Sequence, residues 1–192
     1  KKSIQMISYA PHFISTTVLV GMINAIFNAR TGMYGAIYKL ITNSYPFDLF
    51  SSVNSFRHMY VWSSVWQNTG WSAIIYVAAL ASVDIQLHEA AQIDGANRIS
   101  RIIHVDLPNI VPTISIMMIL QLGQIMSVGF EKVYLMQNTI NSPVSEIIST
   151  YVYKIGLQDS TDFSYSTAIG MFNSVVNLIV LIAANTVIRK IG

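Results

Sequence analysis

The sequence predicts an all-α fold, a polytopic bundle of transmembrane helices, on the strength of three observations. Of the 192 residues, 53% are apolar and only 10% are charged, whereas a soluble domain carries about 25% charged residues. The mean hydropathy is +0.50. Charged side chains are absent from four stretches of 27, 26, 24 and 26 residues, which are residues 3–29, 58–83, 107–130 and 163–188. Since about 20 apolar helical residues cross a bilayer core, each stretch is long enough for one span.

This composition excludes several classes of protein. Long uncharged stretches do not occur in a soluble globular enzyme or a disordered tail. A net charge of +2 spread over loops gives no basic stripe for nucleic acid. The absence of cysteine rules out a disulfide framework, a thiolate metal site and a cysteine nucleophile. Because the chain opens at Lys1-Lys2 without an initiator methionine, we expect it to be part of a longer chain.

Four spans follow from the uncharged stretches, within one transmembrane domain that covers residues 1–192. We predict them over residues 9–27, 61–83, 109–128 and 165–188. Pro11 and Pro112 are each expected in the opening turn of a span, where a missing N–H costs nothing. Residues 28–60 are predicted as an extramembrane loop with one or two short interfacial helices, and residues 129–163 as a second long loop.

The distribution of basic residues predicts the orientation. One side of the membrane would hold six basic residues in about 30 positions, and the other side five in about 70. The denser set consists of Lys1, Lys2, Arg98, Arg101, Arg189 and Lys190. Because cytoplasmic segments carry the excess of Lys and Arg, both chain ends and the loop 84–108 are predicted to be cytoplasmic.

The loop between the second and third spans has its own helical pattern. Residues 87–93 predict a short helix, and Gly95, which accepts a positive φ, predicts its end. A second helical piece is expected to end at Leu107-Pro108. Ala90 and Ala91 are strong helix formers with almost no side chain, so this helix can lie deep in the groove of another protein.

The same loop resembles the EAA loop of permease subunits in binding-protein-dependent ABC importers. That loop consists of Glu-Ala-Ala, three residues, Gly, nine residues, an aliphatic residue, one residue and Leu-Pro. The matching positions are Glu89, Ala90, Ala91, Gly95, Val105, Leu107 and Pro108. Asp94 precedes Gly95 in the Asp-Gly-Ala form that is common in sugar permeases. Val105 stands where isoleucine is usual, which is a mild departure.

Three further segments resemble a narrower branch, the LplB-like polysaccharide and oligosaccharide permeases within the maltose-type group. They are residues 7–15, 128–134 and 150–157. Most sugar permeases carry Gly-Gly-Pro in the loop after the third span, and here residues 138–143 read NTINSP. Members of this group have five or six helices, so the resemblance implies at least one helix before Lys1.

The resemblance implies a MetI-like type I permease core in a bacterial inner membrane. It further implies a sister permease that completes the translocation pathway, two ATPase subunits that bind the EAA loop, and an extracytoplasmic binding protein that delivers a saccharide. ATP and Mg would be bound by the ATPase subunits, with no cofactor and no catalysis in this subunit. The residues carried over for coupling are Glu89, Ala90, Ala91, Asp94, Gly95, Leu107 and Pro108.

Polar and aromatic residues within the spans are candidates for the substrate pathway. Aromatic faces stack on sugar rings, and carboxamides offer paired donors and acceptors to hydroxyls. The candidates are Trp62, Trp66, Gln67, Asn68, Trp71, Gln121, Gln124, Asn173 and Asn177. The alternative is that they form interhelical hydrogen bonds and an aromatic belt. Glu131 is expected to be a loop or helix-end charge.

Other functions find less support. His88-Glu89-x-x-Gln92 lacks the second histidine of the zinc-protease helix, and the four histidines show no ligand spacing. The sequence contains no P-loop and no serine nucleophile elbow. A stand-alone channel or ion-coupled transporter would usually place an ionisable residue within a span, and none but histidine is present. The sequence leaves open whether the saccharide is acidic, such as alginate, or neutral.

Overall fold

The computed structural model describes residues 2–158 and 162–191, and it confirms the all-α class. The described residues form helices and no strand. The α-helices are Lys2–Tyr9 (α1), Thr16–Phe27 (α2), Met33–Thr42 (α3), Val53–Ala81 (α4), Ile85–Ile93 (α5), Arg98–Arg101 (α6), Leu107–Leu122 (α7), Phe130–Met136 (α8), Ser142–Ser145 (α9), Ile148–Tyr153 (α10) and Phe163–Ile191 (α11). A 3-10 turn, Ala10–Phe13, follows α1, and π turns follow α6 at Ile102–Asp106 and α10 at Lys154–Gln158.

Part of the predicted charge asymmetry lies outside these residues. Lys1 is not described, and neither are the side chains of Lys2, Arg189 and Lys190. The cytoplasmic location of the two chain ends therefore stays a prediction.

The first of two compact units contains Lys1–Gly70 and Ser127–Asn173. Its hydrophobic core is formed by the buried side chains of Val20, Phe56, Val133 and Met136. These residues come from α2, α4 and α8, so the core joins segments that are far apart in the sequence.

Buried polar groups fix the loop after α8. The Asn141 side chain is fully buried, and its Nδ2 donates to the carbonyls of Phe50 at 3.1 Å and Met136 at 3.0 Å. Its Oδ1 accepts from the backbone N–H of Asn138 at 2.8 Å and from Ser145 Oγ at 3.0 Å. Because every one of these groups is paired, the loop can be buried without an unsatisfied polar atom at this residue.

The second compact unit contains Trp71–Met126 and Ser174–Gly192. Gly123, which follows α7, packs against Leu181 of α11 so closely that a Cβ atom would lie 2.6 Å from Leu181 Cδ1. Asn177 Oδ1 accepts a hydrogen bond from the backbone N–H of Met126 at 3.3 Å. These contacts join the end of α7 to α11.

Several helices have the length and composition of membrane spans. Two described helical stretches are each long and apolar enough to cross a membrane, Arg98–Leu122 and Phe163–Ile188. Two further pairs of helices reach that length and composition only when the two members are combined. These are Ser3–Phe13 with Thr16–Phe27, bent by 99°, and Val53–Ala81 with Ile85–Ile93, bent by 66°. By length and composition the described residues thus hold two spans, or up to four if each bent pair counts as one. The four predicted spans stay predictions.

The first and second predicted spans have different helix boundaries in the structure. Residues 9–27 are not one helix, because Ser15 begins α2 as its N-cap and accepts from the N–H of Val18 at 3.3 Å. Helix α4 begins at Val53, inside the predicted loop 28–60, and α3 is the one other helix of that loop. A hydroxyl at an N-cap satisfies a free N–H and so favours a new helix start.

The prediction that a helical piece ends at Leu107-Pro108 is wrong. The chain is helical without a break over Arg98–Leu122, so Pro112 lies inside α7 rather than in an opening turn. The third span, predicted over residues 109–128, corresponds to a helix that starts earlier and ends at Leu122.

A π turn explains how the helix passes Pro108. Proline lacks an N–H and its ring clashes with the carbonyl four residues earlier. Just before the ring, the N–H of Leu107 bonds to the carbonyl of Ile102, five residues back, which widens the helix. The side chain of Asn109 then donates to the carbonyl of Val105 at 2.7 Å. Such local adjustments keep a proline-containing helix continuous.

Candidate functional site

The EAA residues lie on helix α5, which has a well-defined start. Asp84 is its N-cap, and Asp84 Oδ1 accepts from the N–H of Gln86 at 2.9 Å. Acidic N-caps satisfy a free N–H and favour the positive end of the helix dipole. The helix therefore begins two residues before the predicted start at Leu87, because Asp84 provides a cap that the hydrophobic pattern alone does not show.

The end of α5 is a Schellman motif centred on Gly95. The N–H of Ala96 bonds to the carbonyl of Ala91 at 2.9 Å, and the N–H of Gly95 bonds to the carbonyl of Gln92 at 3.0 Å. Gly95 has φ +76°, a conformation that costs glycine nothing and other residues about 1–2 kcal/mol. The turn predicted at Gly95 is thus present, with the two hydrogen bonds that define its geometry.

Helix α5 is largely open to its surroundings within this chain. None of its residues is buried, and Glu89 and Ala90 are exposed while Ala91 is half-buried. Ile93 is 87% exposed. Ile85 and Leu87 are also exposed, at 70% and 46%, so α5 presents several apolar side chains that another protein can cover.

An ion pair joins α5 to the π turn that follows it. His88 Nε2 lies 3.2 Å from Asp106 Oδ1, with side-chain exposures of 29% and 22%. His88 directly precedes Glu89 and Asp106 directly precedes Leu107, so the residues that flank the two ends of the EAA pattern are in contact. The sequence did not predict this pair, because the two side chains are 18 positions apart and no local pattern connects them.

The predicted substrate residues fall in both compact units. Gln67, Asn68 and Asn173 belong to the first unit, where Trp66 is also found, 51% exposed. The predicted residues of the second unit are Trp71, Gln121, Gln124 and Asn177. Of these, Gln121 and Gln124 are exposed, and Asn177 is engaged with the backbone N–H of Met126.

Gln67 and Asn68 line one cavity of about 470 Å³, which we call the polar cavity. Its hydrogen-bonding side chains include His12, Ser64, Gln67, Asn68, Glu131 and Lys132. Gln67 Nε2 donates to the carbonyl of Ile14 at 2.9 Å, and Asn68 Oδ1 lies 3.2 Å from His12 Nδ1. Both carboxamides therefore serve as interhelical links as well as facing the cavity.

Lys132 is the buried cation of the polar cavity. The residue is 6% exposed, and its Nζ donates to Ser64 Oγ at 2.8 Å and to the carbonyl of Tyr60 at 3.5 Å. Burial lowers the pKa of the ammonium from its ordinary value to about 8. Sequence reasoning did not select this lysine, since residues 129–163 were predicted as a loop and a charge in a loop is normally solvated.

Glu131, the neighbour of Lys132, lies in the first turn of α8 as a helix-end charge. The side chain is exposed. Its Oε1 accepts from Thr17 Oγ1 at 3.4 Å, which links α8 to α2.

Asn173 lines a second cavity of about 490 Å³ in the same unit, here called the aromatic cavity. Phe130 and Tyr153 form part of its wall, with ring centroids 5.3 Å apart. Asn173 Oδ1 is buried and has no hydrogen-bond partner among the residues that the structure describes. An unpaired buried acceptor is uncommon and marks a position where a ligand or water donor fits.

The described residues contain no group of three or more His, Cys, Asp or Glu side chains that could hold a metal ion. His88 pairs with Asp106, and His104 Nδ1 lies 3.0 Å from the carbonyl of Ser100. The histidines of the loop 84–108 are thus engaged within the chain.

Comparisons with known proteins match nearly the whole chain. The family described as "Binding-protein-dependent transport system inner membrane component" matches residues 2–192. Protein LplB of Bacillus subtilis (strain 168) is 41% identical over 190 residues, which are 99% of this chain and 59% of that protein. The polygalacturonan/rhamnogalacturonan transport system permease protein YteP of the same organism is 38% identical over 192 residues, 100% of this chain and 59% of that protein.

Among solved structures, the chain is similar to a bacterial ABC transporter involved in the import of the acidic polysaccharide alginate. The TM-score is 0.93 at 36% identity, and the match covers 99% of this chain and 66% of that chain. A structure of a bacterial alginate ABC transporter in complex with an alginate pentasaccharide-bound periplasmic protein matches with a TM-score of 0.92 at 36% identity. The chain spans 59% of the length of the two relatives from Bacillus subtilis.

Proposed function

The chain belongs to the family of inner membrane components of binding-protein-dependent transport systems, and on that premise we propose that it is a permease subunit of an ATP-driven importer of oligosaccharide or polysaccharide. In this proposal the chain forms half of the translocation pathway together with a sister permease. Two ATPase subunits bind ATP and Mg, and an extracytoplasmic binding protein delivers the saccharide. The chain itself transports and does not catalyse.

The observation that carries the proposal is the geometry of α5. An exposed nine-residue helix is capped by Asp84 at one end and by the Gly95 turn at the other, and His88 fixes it to the following helix through Asp106. A docking element has to keep its shape while another protein pushes on it. All three features serve that requirement, because each one restrains α5 at a different point.

The continuous helix that follows α5 supports a mechanism. Closure of the ATPase subunits would move α5, and the ion pair and the unbroken stretch Arg98–Leu122 would carry that movement toward the predicted third span. Rigid-body displacement of helices is a known route from a local event to a global change of access. The loop 84–108 and both chain ends are cytoplasmic in this proposal.

The saccharide assignment draws on the relatives and on the cavities. The similar proteins include a polygalacturonan/rhamnogalacturonan transport system permease and an alginate importer. The polar and aromatic cavities supply carboxamides and aromatic rings, which are the groups that bind sugar hydroxyls and sugar faces. We propose Gln67, Asn68 and Asn173 as pathway residues on this basis.

A crosslinking experiment tests the docking proposal. These 192 residues contain no cysteine, so Ala90→Cys and Ala91→Cys each introduce the single thiol of this part of the permease, and any cysteine elsewhere in the full-length protein is first replaced by serine. These variants are co-expressed with the candidate ATPase subunit, which carries one cysteine at a time across its membrane-facing groove. We expect a disulfide whose yield changes with ATP.

Leu40→Cys is the matched control, because Leu40 is 86% exposed on α3 and lies in the predicted loop on the opposite side of the membrane. It should give no crosslink to the ATPase subunit. A full groove scan without a crosslink from position 90 or 91, with both proteins folded and co-localised, would refute the docking role of α5.

A further inference from the structure

We propose that the polar cavity binds the carboxylate of an acidic sugar unit through the ammonium group of Lys132, an inference that rests on the proposed function and names its substrate class. The wall of the cavity contains a buried cation, the ammonium group of Lys132, beside side chains that can hydrogen-bond to hydroxyl groups.

Lys132 has no counter-charge within the described part of the chain. The two ion pairs found there join His88 to Asp106 and Lys154 to Glu146, and no carboxylate oxygen lies within 4.0 Å of Lys132 Nζ. Burying an unpaired charge costs several kcal/mol, and the lowered pKa of Lys132 reflects this cost. A bound anion would supply the missing counter-charge.

The hydrogen bonds of Lys132 leave room for a ligand. An ammonium group has three donors, and the protein supplies one close acceptor, Ser64 Oγ at 2.8 Å. The second acceptor, the carbonyl of Tyr60, is 3.5 Å away and also accepts from Ser64 Oγ at 2.8 Å. The Tyr60 ring lies 5.3 Å from Nζ and adds a cation–π contact on one side. One strong donor position remains for an acceptor in the cavity.

The nearby carboxylate of Glu131 does not cancel this positive charge. Glu131 is exposed, whereas Lys132 is 6% exposed. Water and salt screen an exposed charge far more than a buried one, so the potential in the interior of the cavity is set by the lysine. An anionic group is therefore favoured at the inner wall.

The other side chains fit the rest of a sugar. His12, Gln67 and Asn68 line the same cavity and can exchange hydrogen bonds with ring hydroxyls. The volume of about 470 Å³ lies within the usual range of small-molecule sites. A uronic acid unit presents one carboxylate beside several hydroxyls, which is the combination that this lining recognises.

Equilibrium binding to the purified transporter in nanodiscs tests the inference without the binding protein and without ATP hydrolysis. The probes are an oligogalacturonate and its carboxyl-reduced counterpart of equal length and linkage. We expect the acidic probe to bind about tenfold or more tightly than the neutral one, the range for one charge-assisted hydrogen bond. Lys132→Met should abolish this preference.

Lys154→Met is the matched control, since Lys154 already pairs with Glu146 at 2.7 Å and lies outside the polar cavity. The acidic preference should remain in this variant. Equal affinities for the two probes, or a preference that persists in Lys132→Met, would overturn the inference. Either result leaves the crosslink between α5 and the ATPase subunit unaffected, so the two proposals fail separately.

A pH series with Lys132→Arg gives a second, independent readout. In the wild type the acidic preference should decline as the pH rises through about 8, where Lys132 loses its proton. His12, Tyr60 and Glu131 also line the cavity, so the arginine variant isolates the lysine, because guanidinium stays charged over this range. A decline of equal size in Lys132→Arg would overturn the inference, and this comparison holds even if Lys132→Met does not assemble.

Discussion

The substitution Gly95→Val isolates the backbone requirement at the end of helix α5. Gly95 has φ +76°, and a Cβ atom built there meets no other atom within 4 Å. A Cβ atom therefore has open space at this position, and the penalty that we expect comes from the left-handed backbone conformation. For an ordinary L-residue this costs about 1–2 kcal/mol, and a β-branched side chain lies at the upper end.

The penalty acts on the docking geometry rather than on the membrane-spanning helices. If valine leaves the left-handed region, the hydrogen bonds to the carbonyls of Ala91 and Gln92 are lost. A cost of about 2 kcal/mol lowers the equilibrium constant for forming the native helix end about thirtyfold. We expect a loss of saccharide-stimulated ATP hydrolysis of up to this size in the reconstituted complex, with normal membrane insertion.

Gly95→Asn is the matched control, because asparagine enters the left-handed region far more readily than valine. It should retain most of the stimulated ATPase activity. Wild-type activity in Gly95→Val, or an equal loss in both variants, would refute the reasoning, since neither result follows from backbone conformation.

Three further substitutions test other contacts. His88→Ala removes the ion pair to Asp106; because both groups are partly exposed, we expect about 1 kcal/mol or less of lost stability but more ATP hydrolysed per saccharide imported, and an unchanged ratio would contradict a coupling role. Gly70→Ala places a methyl group against the backbone carbonyl of Ser8 and should lower the thermal unfolding midpoint by the equivalent of about 2 kcal/mol or more, whereas an unchanged midpoint would show that the helices separate freely there. Asn141→Ala removes a fully buried side chain with four hydrogen bonds and should cost about 3 kcal/mol, while a loss below about 1 kcal/mol in the same unfolding assay would mean that water replaces the amide.

The fold class and the motif helix were predictable because they depend on local patterns. Long uncharged stretches identify apolar helices by composition alone. Gly95 marks a helix end because few other residues adopt its φ. These signals lie within a few residues of the feature that they predict.

The helix boundaries were harder to predict, since proline gives an ambiguous signal. Pro108 suggested a helix end, yet the π turn at Ile102–Asp106 lets the helix continue. No residue type specifies a π turn, because the extra hydrogen-bond spacing is set by packing around the proline. The continuity of Arg98–Leu122 therefore had to be observed.

Long-range side-chain contacts could not be predicted at all. From the sequence alone, Lys132 is a charged residue in a predicted loop. Its burial follows from its packing against Tyr60 and Ser64, which the structure shows. These residues are separated from it by 72 and 68 positions. The contact between the side chains of His88 and Asp106 likewise depends on how the chain turns between these two residues.

The π turn also sets the direction in which the distal end of its helix points. Each added residue rotates the following side chains by about 100° around the axis, and one π turn inserts one residue into the α-helical phase. Gln121 therefore points about 100° away from the direction that a regular helix from Arg98 would give it. Removal of a single residue from Ile102–Asp106 would leave the composition of the helix intact and turn its far end to a different neighbour. The direction in which Gln121 points is thus set by a turn that ends 15 residues before it.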